Sequence, residues 1–552
     1  MHGADGATDR GTLRLTGRWE ALCEGEAKDA LETLLRDALP TRRWFGGKAR
    51  RIRSVTVTDA VPISTSRTRA FVLLTRVAYE EGGSERYQIP LAAAFGDAAA
   101  RLAAESSAAV IGRLLANPDD DRGDGVLYDA LWNPDVTRTL LEAIGRGRRF
   151  AGTAGEMIAT STHAFADLGA IDALPAPAVM QAEQSNTSVR YGERVILKLY
   201  RRLEDGINPD LEIGRHLTER RFPHVPPILG AIEYRRGTGE PATLAVLQGF
   251  VPNQGDAWRY TLDSLRAYFA RERAASANFA DTAEPEDLLS ALLDGTVPQQ
   301  AEARLGSYLD SAGLLGRRTA ELHAALASSP HPDFAPEPVP PEYLRERCES
   351  IARSASRVFD LLRRRWPDLP DETRREAGDV LDREENLSRR LETWRGLKPD
   401  AFRIRCHGDY HLGQVLYTGR DFVIIDFEGE PARPLSERRA KHVPLLDVAG
   451  MLRSFHYAAS AVLFEQRAQT DGLNERSAGD WYRWVCTAFL RTYREAAGTT
   501  VCRFASKAQT EELLRLYLVE KALYELGYEL NNRPDWVRIP LRGLRHLLQR
   551  AD

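Results

Sequence analysis

Cysteine is scarce in this 552-residue chain, which has five, at positions 23, 348, 406, 486 and 502. They form no C-x-x-C pair, so we expect neither a disulfide framework nor a zinc site, but buried thiols. The sequence also lacks any apolar run near the ~20 residues that a helix needs to cross a bilayer. Its first residues carry no apolar secretory segment. These absences predict a cytoplasmic protein without a membrane partner.

A surplus of charge of either sign is absent as well. Lys and Arg number 75 against 79 Asp and Glu, which gives a net charge of −4. Proteins that bind nucleic acids or anionic membranes usually carry a basic surplus, so neither partner is expected. The length is sufficient for two to four domains with full cores. No pattern in the sequence indicates the oligomeric state.

The most informative motif is His407–Gln414, HGDYHLGQ, followed by Asp426 at the end of an apolar run. It supplies a carboxylate, Asp409, then the amide of Gln414, then a second carboxylate, in the order that phosphoryl transfer to an alcohol requires. Protein kinases present H-R-D-L-x-x-x-N and then D-F-G in that order. Here Gln replaces Asn, and Glu428 replaces the glycine. The motif therefore predicts a kinase whose substrate is not a protein.

Each residue of this motif receives a role. Asp409 is the predicted base that accepts the hydroxyl proton, and His407 orients the backbone of the loop. His411 either contacts the substrate or packs, and the sequence leaves both open. Mg²⁺ prefers hard oxygen donors. The predicted magnesium ligands are Gln414, Asp426 and Glu428, the last either as a direct ligand or as a hydrogen-bond acceptor behind the others.

A lysine at the end of the apolar strand Val195–Lys198 predicts a site for ATP phosphates. Glu212, fourteen residues later in the next helix, is the expected ion-pair partner that fixes it. One strand earlier, a polar loop stands where a kinase has its Gly-rich loop, and it either binds phosphate oxygens or is an ordinary hairpin turn. That loop consists of Gln184, Ser185, Asn186, Thr187 and Ser188. Gln248 to Val251 is the predicted hinge at the adenine.

The pattern of strands and helices predicts an α+β protein with a two-lobed fold like that of eukaryotic protein kinases. Three strand-like runs, 54–63, 70–79 and 86–91, indicate a small antiparallel sheet with a helix on it. Residues 96–116 are predicted to be helical because they are rich in alanine. We expect an N-terminal cap subdomain over residues 1–95. An intermediate subdomain and kinase N-lobe are expected over 96–251, and a helical C-lobe over 252–552.

These motifs together resemble those of bacterial maltokinases over nearly the whole chain. The residues that carry the resemblance are Arg43–Lys48, Gln184–Ser188, His407–Gln414, Asp426–Pro431, Arg433–Leu435, Glu437–Arg439, Asp447–Ser454, Glu520–Glu525 and Arg533–Trp536. The resemblance implies a fold close to aminoglycoside phosphotransferases behind an N-terminal cap. It implies ATP- and Mg²⁺-dependent phosphorylation of maltose at its anomeric hydroxyl, giving maltose 1-phosphate for glycogen synthesis. It also implies a functional or fused link to a trehalose synthase, which would be either a separate chain or absent from this sequence.

The segment 515–536 is the predicted sugar site because it combines polar side chains for hydroxyl groups with aromatic faces for C–H patches. The predicted sugar ligands in this segment are Glu520, Lys521, Tyr524, Glu525 and Arg533. The alternative is a helix that packs its aromatic residues into the lobe.

Two further functions remain open at this stage. One is a kinase for glucosamine or another amino sugar, which would need acidic groups around an ammonium. The other is a non-catalytic kinase-like binding module, against which the presence of Lys198, Asp409, Gln414 and Asp426 argues. The choice between ATP and GTP is also open.

Overall fold

The computed structural model describes residues 11–15, 17–23, 27–116, 122–180, 185–274, 288–294, 296–466, 473–501 and 506–549. Gln184 of the predicted phosphate loop and Cys502 lie outside these ranges. The chain divides into two compact units, Met1–Arg221 with Pro226–Pro252, and Phe222–Val225 with Asn253–Asp552. None of the described helices combines the length and the apolar character needed to span a membrane.

The first unit is built from two sheets and four α-helices among its described residues. In chain order its elements are β1 (Thr12–Arg14), α1 (Lys28–Ala38), β2 (Ile52–Ser64), β3 (Arg69–Tyr79), β4 (Ser84–Phe95), α2 (Gly96–Glu105), β5 (Val110–Leu115), β6 (Gly125–Asp129), α3 (Pro134–Arg146), β7 (Arg149–Ala151), β8 (Glu156–Ser161), β9 (Pro177–Val179), β10 (Asn186–Tyr191), β11 (Val195–Tyr200), β12 (Arg202–Leu203), α4 (Pro209–Glu219), β13 (Ile228–Arg235) and β14 (Ala242–Gly249).

The first sheet has the strand order β1-β5-β6-β4-β3-β2, and β12 pairs with β4. Leu31, Leu34 and Leu35 of α1 pack on one face of this sheet, because they recur at the spacing that aligns side chains on one side of a helix. The antiparallel sheet predicted from three strand-like runs is confirmed as β2, β3 and β4, although the complete sheet is larger. The helix predicted over 96–116 was wrong beyond Glu105. Val110 and Ile111 are β-branched and begin strand β5 instead.

The second sheet has the order β7-β8-β13-β14-β11-β10-β9. It shares one apolar core with the other face of the first sheet, and helix α3 contributes Leu140 to that core. A polar bridge also joins the sheets. The side-chain amide of Gln88 in β4 donates to the carbonyl oxygens of Tyr200 at 2.7 Å and of Leu244 at 2.6 Å. Helix α4 begins after Asn208, whose side chain accepts from the Asp210 N–H.

The second unit is mostly helical. In chain order its elements are α5 (Ala257–Ala274), α6 (Leu288–Asp294), α7 (Gln299–Leu305), α8 (Ser307–Leu326), β15 (Glu337–Pro338), α9 (Pro341–Arg365), α10 (Asp371–Leu381), α11 (Glu384–Arg395), β16 (Phe402–Arg403), β17 (Val415–Tyr417), β18 (Phe422–Ile424), α12 (Leu435–Arg438), α13 (Leu445–Gln466), α14 (Leu473–Val501), α15 (Lys507–Asn532) and α16 (Arg538–Leu547).

Helices α8, α13, α14 and α15 form the packed centre of this unit. Helices α8 and α14 approach closely at Gly316, where a Cβ atom would lie 2.2 Å from the carbonyl oxygen of Phe489. The small hairpin of β17 and β18 follows the HGDYHLGQ motif and separates Gln414 from Asp426. The HGDYHLGQ motif therefore lies directly before a short hairpin, in a unit that is otherwise mostly helical.

Candidate active site

The catalytic loop lies between β16 and β17, and Asp447 in the first turn of α13 holds its backbone. The buried Asp447 carboxylate accepts hydrogen bonds from the N–H groups of His407 at 2.8 Å and Gly408 at 2.9 Å. A ring nitrogen of His323 lies 3.1 Å from the same carboxylate. Burial opposes ionisation of Asp447, but the hydrogen bond and charge of His323 hold the pKa of Asp447 below its ordinary value. The carboxylate thus fixes the entry of the loop.

The side chain of His407 connects this loop to the strand end that precedes Asp426. Its Nε2 lies 2.9 Å from the carbonyl oxygen of Ile425, and its Nδ1 accepts from the Asp409 N–H at 3.4 Å. Helix α13 passes directly beneath the loop, because a Cβ atom at Gly450 would lie 2.4 Å from the carbonyl oxygen of Tyr410. Only glycine permits this approach. His407 makes the contacts of a residue that orients backbone.

Asp409 faces a half-buried lysine that the sequence assigned to the sugar. Lys521 Nζ lies 3.0 Å from Asp409 Oδ1 and 2.8 Å from Glu430 Oε1. Burial opposes ionisation of Asp409, yet Lys521, together with His411 and His407, lowers the pKa of Asp409 to about 2. The same two carboxylates raise the pKa of Lys521. Asp409 is therefore ionised at neutral pH.

His411 has one ring nitrogen engaged by the backbone. Its Nδ1 accepts from the Gly413 N–H at 3.1 Å and caps the short turn that carries Gln414. Burial lowers the pKa of His411, so the ring is neutral at pH 7. A neutral ring that accepts at Nδ1 carries its proton on Nε2. His411 also lines the cavity beside Asp409, which makes both open readings of this residue compatible with its position.

The residues predicted to bind magnesium lie around a strained aspartate. Asp426 has a φ of 66°, which places it in the left-handed region that a non-glycine residue rarely adopts. The Gln414 side-chain nitrogen donates to Asp426 Oδ2 at 2.9 Å, which leaves the amide oxygen of Gln414 for another partner. Carboxylate oxygens of Asp426 and Glu428 lie within 4.8 Å of one another. Two carboxylates and one amide oxygen form a donor set that fits Mg²⁺.

A cavity of about 470 Å³ begins at Asp409 within the second unit. Of the residues predicted to bind the sugar, His411 and four members of segment 515–536 line it. Those four are Lys521, Tyr524, Glu525 and Arg533. Glu520 is the exception and corrects the prediction. It is paired with Arg347 at 2.8 Å and with Arg433 at 3.2 Å, because it stands one position before Lys521 and so on a different side of α15.

Most carboxylates of this cavity are paired with a cation. Glu525 binds Arg453 at 2.6 Å, and Glu529 binds Arg533 at 2.6 Å. Asp256 is the exception among the described residues of the lining. Its carboxylate accepts from the Arg259 N–H at 2.8 Å and has no cationic partner. The five Tyr and Trp side chains of the lining are Trp258, Tyr457, Tyr524, Tyr528 and Trp536.

Sequence reasoning missed the contribution of α13 to this cavity. Gly450, Ser454 and Tyr457 line it and follow the spacing of four and three residues that marks one helix face. This face contacts the catalytic loop at two of these positions, since the Ser454 hydroxyl accepts from the Leu412 N–H at 3.1 Å. The helical period beginning at Asp447 was the signal that could have identified Tyr457.

The predicted nucleotide residues lie on the second sheet of the first unit. Lys198 is buried on β11 and pairs in register with Ser188 of β10. Its Nζ lies 3.0 Å from the carboxylate of Asp210 in α4. The predicted ion-pair partner was Glu212, two residues later in the same helix. Asp210 also accepts from the Tyr200 hydroxyl at 2.8 Å.

The predicted phosphate loop is shorter than expected. Asn186, Thr187 and Ser188 belong to strand β10, and Thr187 and Ser188 are buried. Ser185 is exposed immediately before the strand. Farther along the sheet, Gln248 is the second-last residue of β14 and pairs with Ile196, and Val251 follows the strand one residue before the first unit ends.

Comparison with known proteins identifies two family models. The model described as the maltokinase N-terminal cap domain matches residues 39–132. The model described as the phosphotransferase enzyme family matches residues 179–484, more than half of the chain.

Among curated relatives, a glucosamine kinase of Streptacidiphilus jiangxiensis is 24% identical over 438 residues, covering 76% of this chain and 86% of that protein. A glucosamine kinase of Mycolicibacterium smegmatis is 26% identical over 370 residues, covering 66% of this chain and 78% of that protein.

Two solved structures share the fold. A glucosamine kinase in complex with glucosamine, ADP and inorganic phosphate has a TM-score of 0.58 at 18% identity, covering 90% of this chain and 94% of that one. A second crystal form of glucosamine kinase has a TM-score of 0.61 at 18% identity, covering 96% of this chain and 99% of that one. The α+β kinase-like fold with an N-terminal cap, expected from the sequence, is confirmed.

Proposed function

The chain belongs to the phosphotransferase enzyme family, and from that premise we propose that it phosphorylates maltose at the anomeric hydroxyl with ATP. Members of the family are kinases that use an alcohol group as acceptor, so the non-catalytic alternative is set aside. The observation that carries the proposal is the cavity beside Asp409. It is lined by aromatic rings, and three of its four carboxylates are paired with cations.

The charge and shape of this cavity support the choice of maltose as acceptor. A neutral disaccharide needs hydrogen-bonding groups for its hydroxyls and flat apolar faces for its C–H patches, but no unpaired charge. Tyr457 and Trp536 stack with ring centroids 6.3 Å apart and an interplanar angle of 20°, and together they offer a wide aromatic surface. The cavity volume of about 470 Å³ falls within the ~300–1,000 Å³ typical of small-molecule sites. Maltose fits these requirements.

Catalysis rests on a weak but permanently ionised base. Asp409, with a pKa of about 2, is a poor proton acceptor in water. Phosphoryl transfer passes through a loose transition state, however, in which little proton transfer is needed from the attacking hydroxyl. An anomeric hydroxyl is also more acidic than an ordinary alcohol, which reduces the demand on the base. Orientation of the hydroxyl by Asp409 would contribute most of its effect.

The remaining roles are divided between the two units. On the first unit, Lys198 would hold phosphates of ATP, with Asp210 as its ion-pair partner. On the second, Gln414, Asp426 and Glu428 would hold Mg²⁺, which neutralises charge on the phosphates when bound. The product, maltose 1-phosphate, would enter glycogen synthesis, and a trehalose synthase would supply the maltose.

Glucosamine is the second candidate, and Asp256 is the observation that favours it. This carboxylate lines the cavity without a cationic partner among the described residues, so it could bind a substrate ammonium. The curated relatives compared above are named glucosamine kinases.

An acceptor panel tests the proposal. The purified protein is incubated with Mg²⁺ and ATP and, in separate reactions, with maltose, glucose, glucosamine or an aminoglycoside, and ADP release is followed. Maltose should give the highest kcat/KM, and the Asp256→Asn variant should retain that activity. Release with glucosamine and none with maltose would contradict the maltose assignment. In that case Asp256→Asn should raise the KM for glucosamine.

A further inference from the structure

A second cavity, of about 480 Å³, lies within the first unit. None of its described lining residues has a role as base, magnesium ligand or sugar ligand in the proposed reaction, and it borders the predicted phosphate loop at Asn186 and Thr187. Its walls come from the Arg42–Trp44 segment near the start of the chain, from Asp129 and Trp132, and from Thr187 and Arg201 of the second sheet. The described lining contains three arginines and one carboxylate, Asp129. The cavity therefore has a surplus of positive charge that this carboxylate does not balance.

Arg201 is the most buried of these cations, with 1% of its surface exposed. Its Nη2 pairs with Asp129, and its Nε donates to the Thr187 hydroxyl at 2.9 Å. Its guanidinium lies over the ring of Trp44, 4.6 Å from the centroid. The third nitrogen, Nη1, is buried and has no hydrogen-bond partner among the described residues. A buried, unsatisfied donor on a charged group is costly, so an acceptor at this position would stabilise the protein.

Arg42 also lines this cavity and has a buried nitrogen without an acceptor among the described residues. Two of its guanidinium nitrogens donate to backbone carbonyl oxygens, those of Ala108 at 2.9 Å and Val110 at 2.7 Å. Its Nε is buried and has no acceptor within the described part of the chain. Burial lowers the pKa of Arg42, Asp129 raises it, and Arg201 lowers it further, with a net lowering. The two carbonyl groups accept hydrogen bonds from two nitrogens of Arg42, but because they are neutral they do not balance its charge.

We propose that this cavity binds a phosphate monoester of a mono- or disaccharide. Two guanidinium groups with open N–H donors suit the oxygens of a phosphate, which arginine binds through parallel hydrogen bonds. Trp44 and Trp132 provide flat walls for the C–H face of a sugar ring. The volume is sufficient for a ligand of this size. The site differs from the cavity beside Asp409, where carboxylates outnumber cations in the lining.

Occupancy of this site would affect nucleotide binding. Thr187, which accepts from Arg201, stands between Asn186 and Ser188, which we predict to lie near the ATP phosphates. Arg201 follows Lys198 by three residues. A ligand that fixes the Arg201 guanidinium therefore also fixes strand β10, so the KM for ATP should change severalfold. This consequence rests on the proposed ATP site, whereas the binding proposal does not.

Calorimetric titration of the full-length chain with glucose 6-phosphate, glucose and inorganic phosphate tests the proposal. A saturating non-hydrolysable ATP analogue and maltose are present to block the other sites. Glucose 6-phosphate should bind at one site, more tightly than inorganic phosphate, and glucose should not bind. Arg42→Gln and Arg201→Gln should each weaken binding by at least about tenfold, the loss typical of a charged hydrogen bond. Trp132→Ala should weaken the binding of glucose 6-phosphate but leave the binding of inorganic phosphate unchanged.

The matched control is Arg36→Gln, which removes an exposed arginine of α1 outside the cavity and should leave binding unchanged. Absence of binding by the wild type, or binding that survives both arginine substitutions, would overturn the proposal. Equal affinities for inorganic phosphate and glucose 6-phosphate would overturn the sugar part of it. Where Arg201→Gln fails to fold, Arg42→Gln and Trp132→Ala decide the outcome. The test measures binding and not turnover, so failure of the acceptor assay would not affect this proposal.

Discussion

Lys521 Nζ lies 3.0 Å from Asp409 Oδ1, so a half-buried lysine from α15 is in contact with the proposed base. Lys521 also binds the buried Glu430 at 2.8 Å, which places one cation between two carboxylates. This contact keeps Asp409 ionised without help from the substrate. The residue predicted to bind the sugar therefore acts first on the base, through its charge.

Replacement of this lysine should make activity sensitive to acid. In the wild type the pKa of Asp409 is lowered to about 2, so the base does not titrate between pH 5 and 9. Lys521→Met removes the strongest influence that lowers this pKa against the opposing effect of burial, so the pKa of Asp409 should rise, although His411 and His407 still lower it. We therefore expect kcat/KM of the variant to fall between pH 8 and pH 5, where the wild-type value stays constant.

The control for this variant is Lys507→Met, an exposed lysine of the same helix. Its pH profile should match the wild type. A flat profile for Lys521→Met over the same range would mean that another group keeps Asp409 ionised.

Removal of the base itself should separate turnover from nucleotide binding. Asp409→Asn preserves the shape of the side chain but removes its charge and its capacity to accept a proton. Loss of a general base typically costs ~10²–10⁴-fold in kcat. Affinity for ATP, measured by equilibrium titration, should change little, because the proposed phosphate lysine belongs to the other unit. Asp368→Asn, an exposed change, serves as control. Activity above about one per cent of wild type would remove Asp409 as the base.

The aromatic wall should determine acceptor affinity. Trp536→Ala removes a ring that stacks on Tyr457 and lines the cavity beside Asp409. Loss of one aromatic face costs about 1–3 kcal/mol of binding, so the KM for maltose should rise by roughly 5–150-fold. The KM for ATP should stay constant. Steady-state kinetics with each substrate varied in turn measure both values, and Trp366→Ala, on a ring outside this cavity, is the matched control. An unchanged KM for maltose would place the sugar elsewhere.

The sequence predicted the groups that are close together along the chain and failed where distant segments meet. Gln414 and Asp426, predicted to share a magnesium site that stays a prediction, lie within hydrogen-bond distance because only a short hairpin separates them. Lys521 and Glu520 were both assigned to the sugar, but helical spacing alone does not tell which face of α15 turns toward the loop. The packing of α15 against α13 and α9 determines which face of α15 turns toward the loop. Asp210 was missed for a similar reason, since two acids in the first turns of α4 compete for Lys198.

Asp447 provides the last test, because its role is stability of the loop and not contact with substrate. Asp447→Asn keeps one oxygen acceptor but turns an amide N–H toward a backbone N–H, so at least one buried donor loses its partner. Such a loss costs about 1–3 kcal/mol, and the free energy of unfolding at pH 7 should fall by about that amount.

The pH dependence of this difference follows from the lowered pKa of Asp447. A carboxylate whose pKa is lowered by folding stabilises the protein above its unfolded pKa of about 3.9, and this contribution is lost as the pH falls below it. Urea unfolding from pH 7 to pH 3 should therefore show the wild type and Asp447→Asn converging at acidic pH. The exposed control Asp360→Asn should follow the wild type throughout. A constant difference at all pH values would mean that the charge of Asp447 does not stabilise the loop.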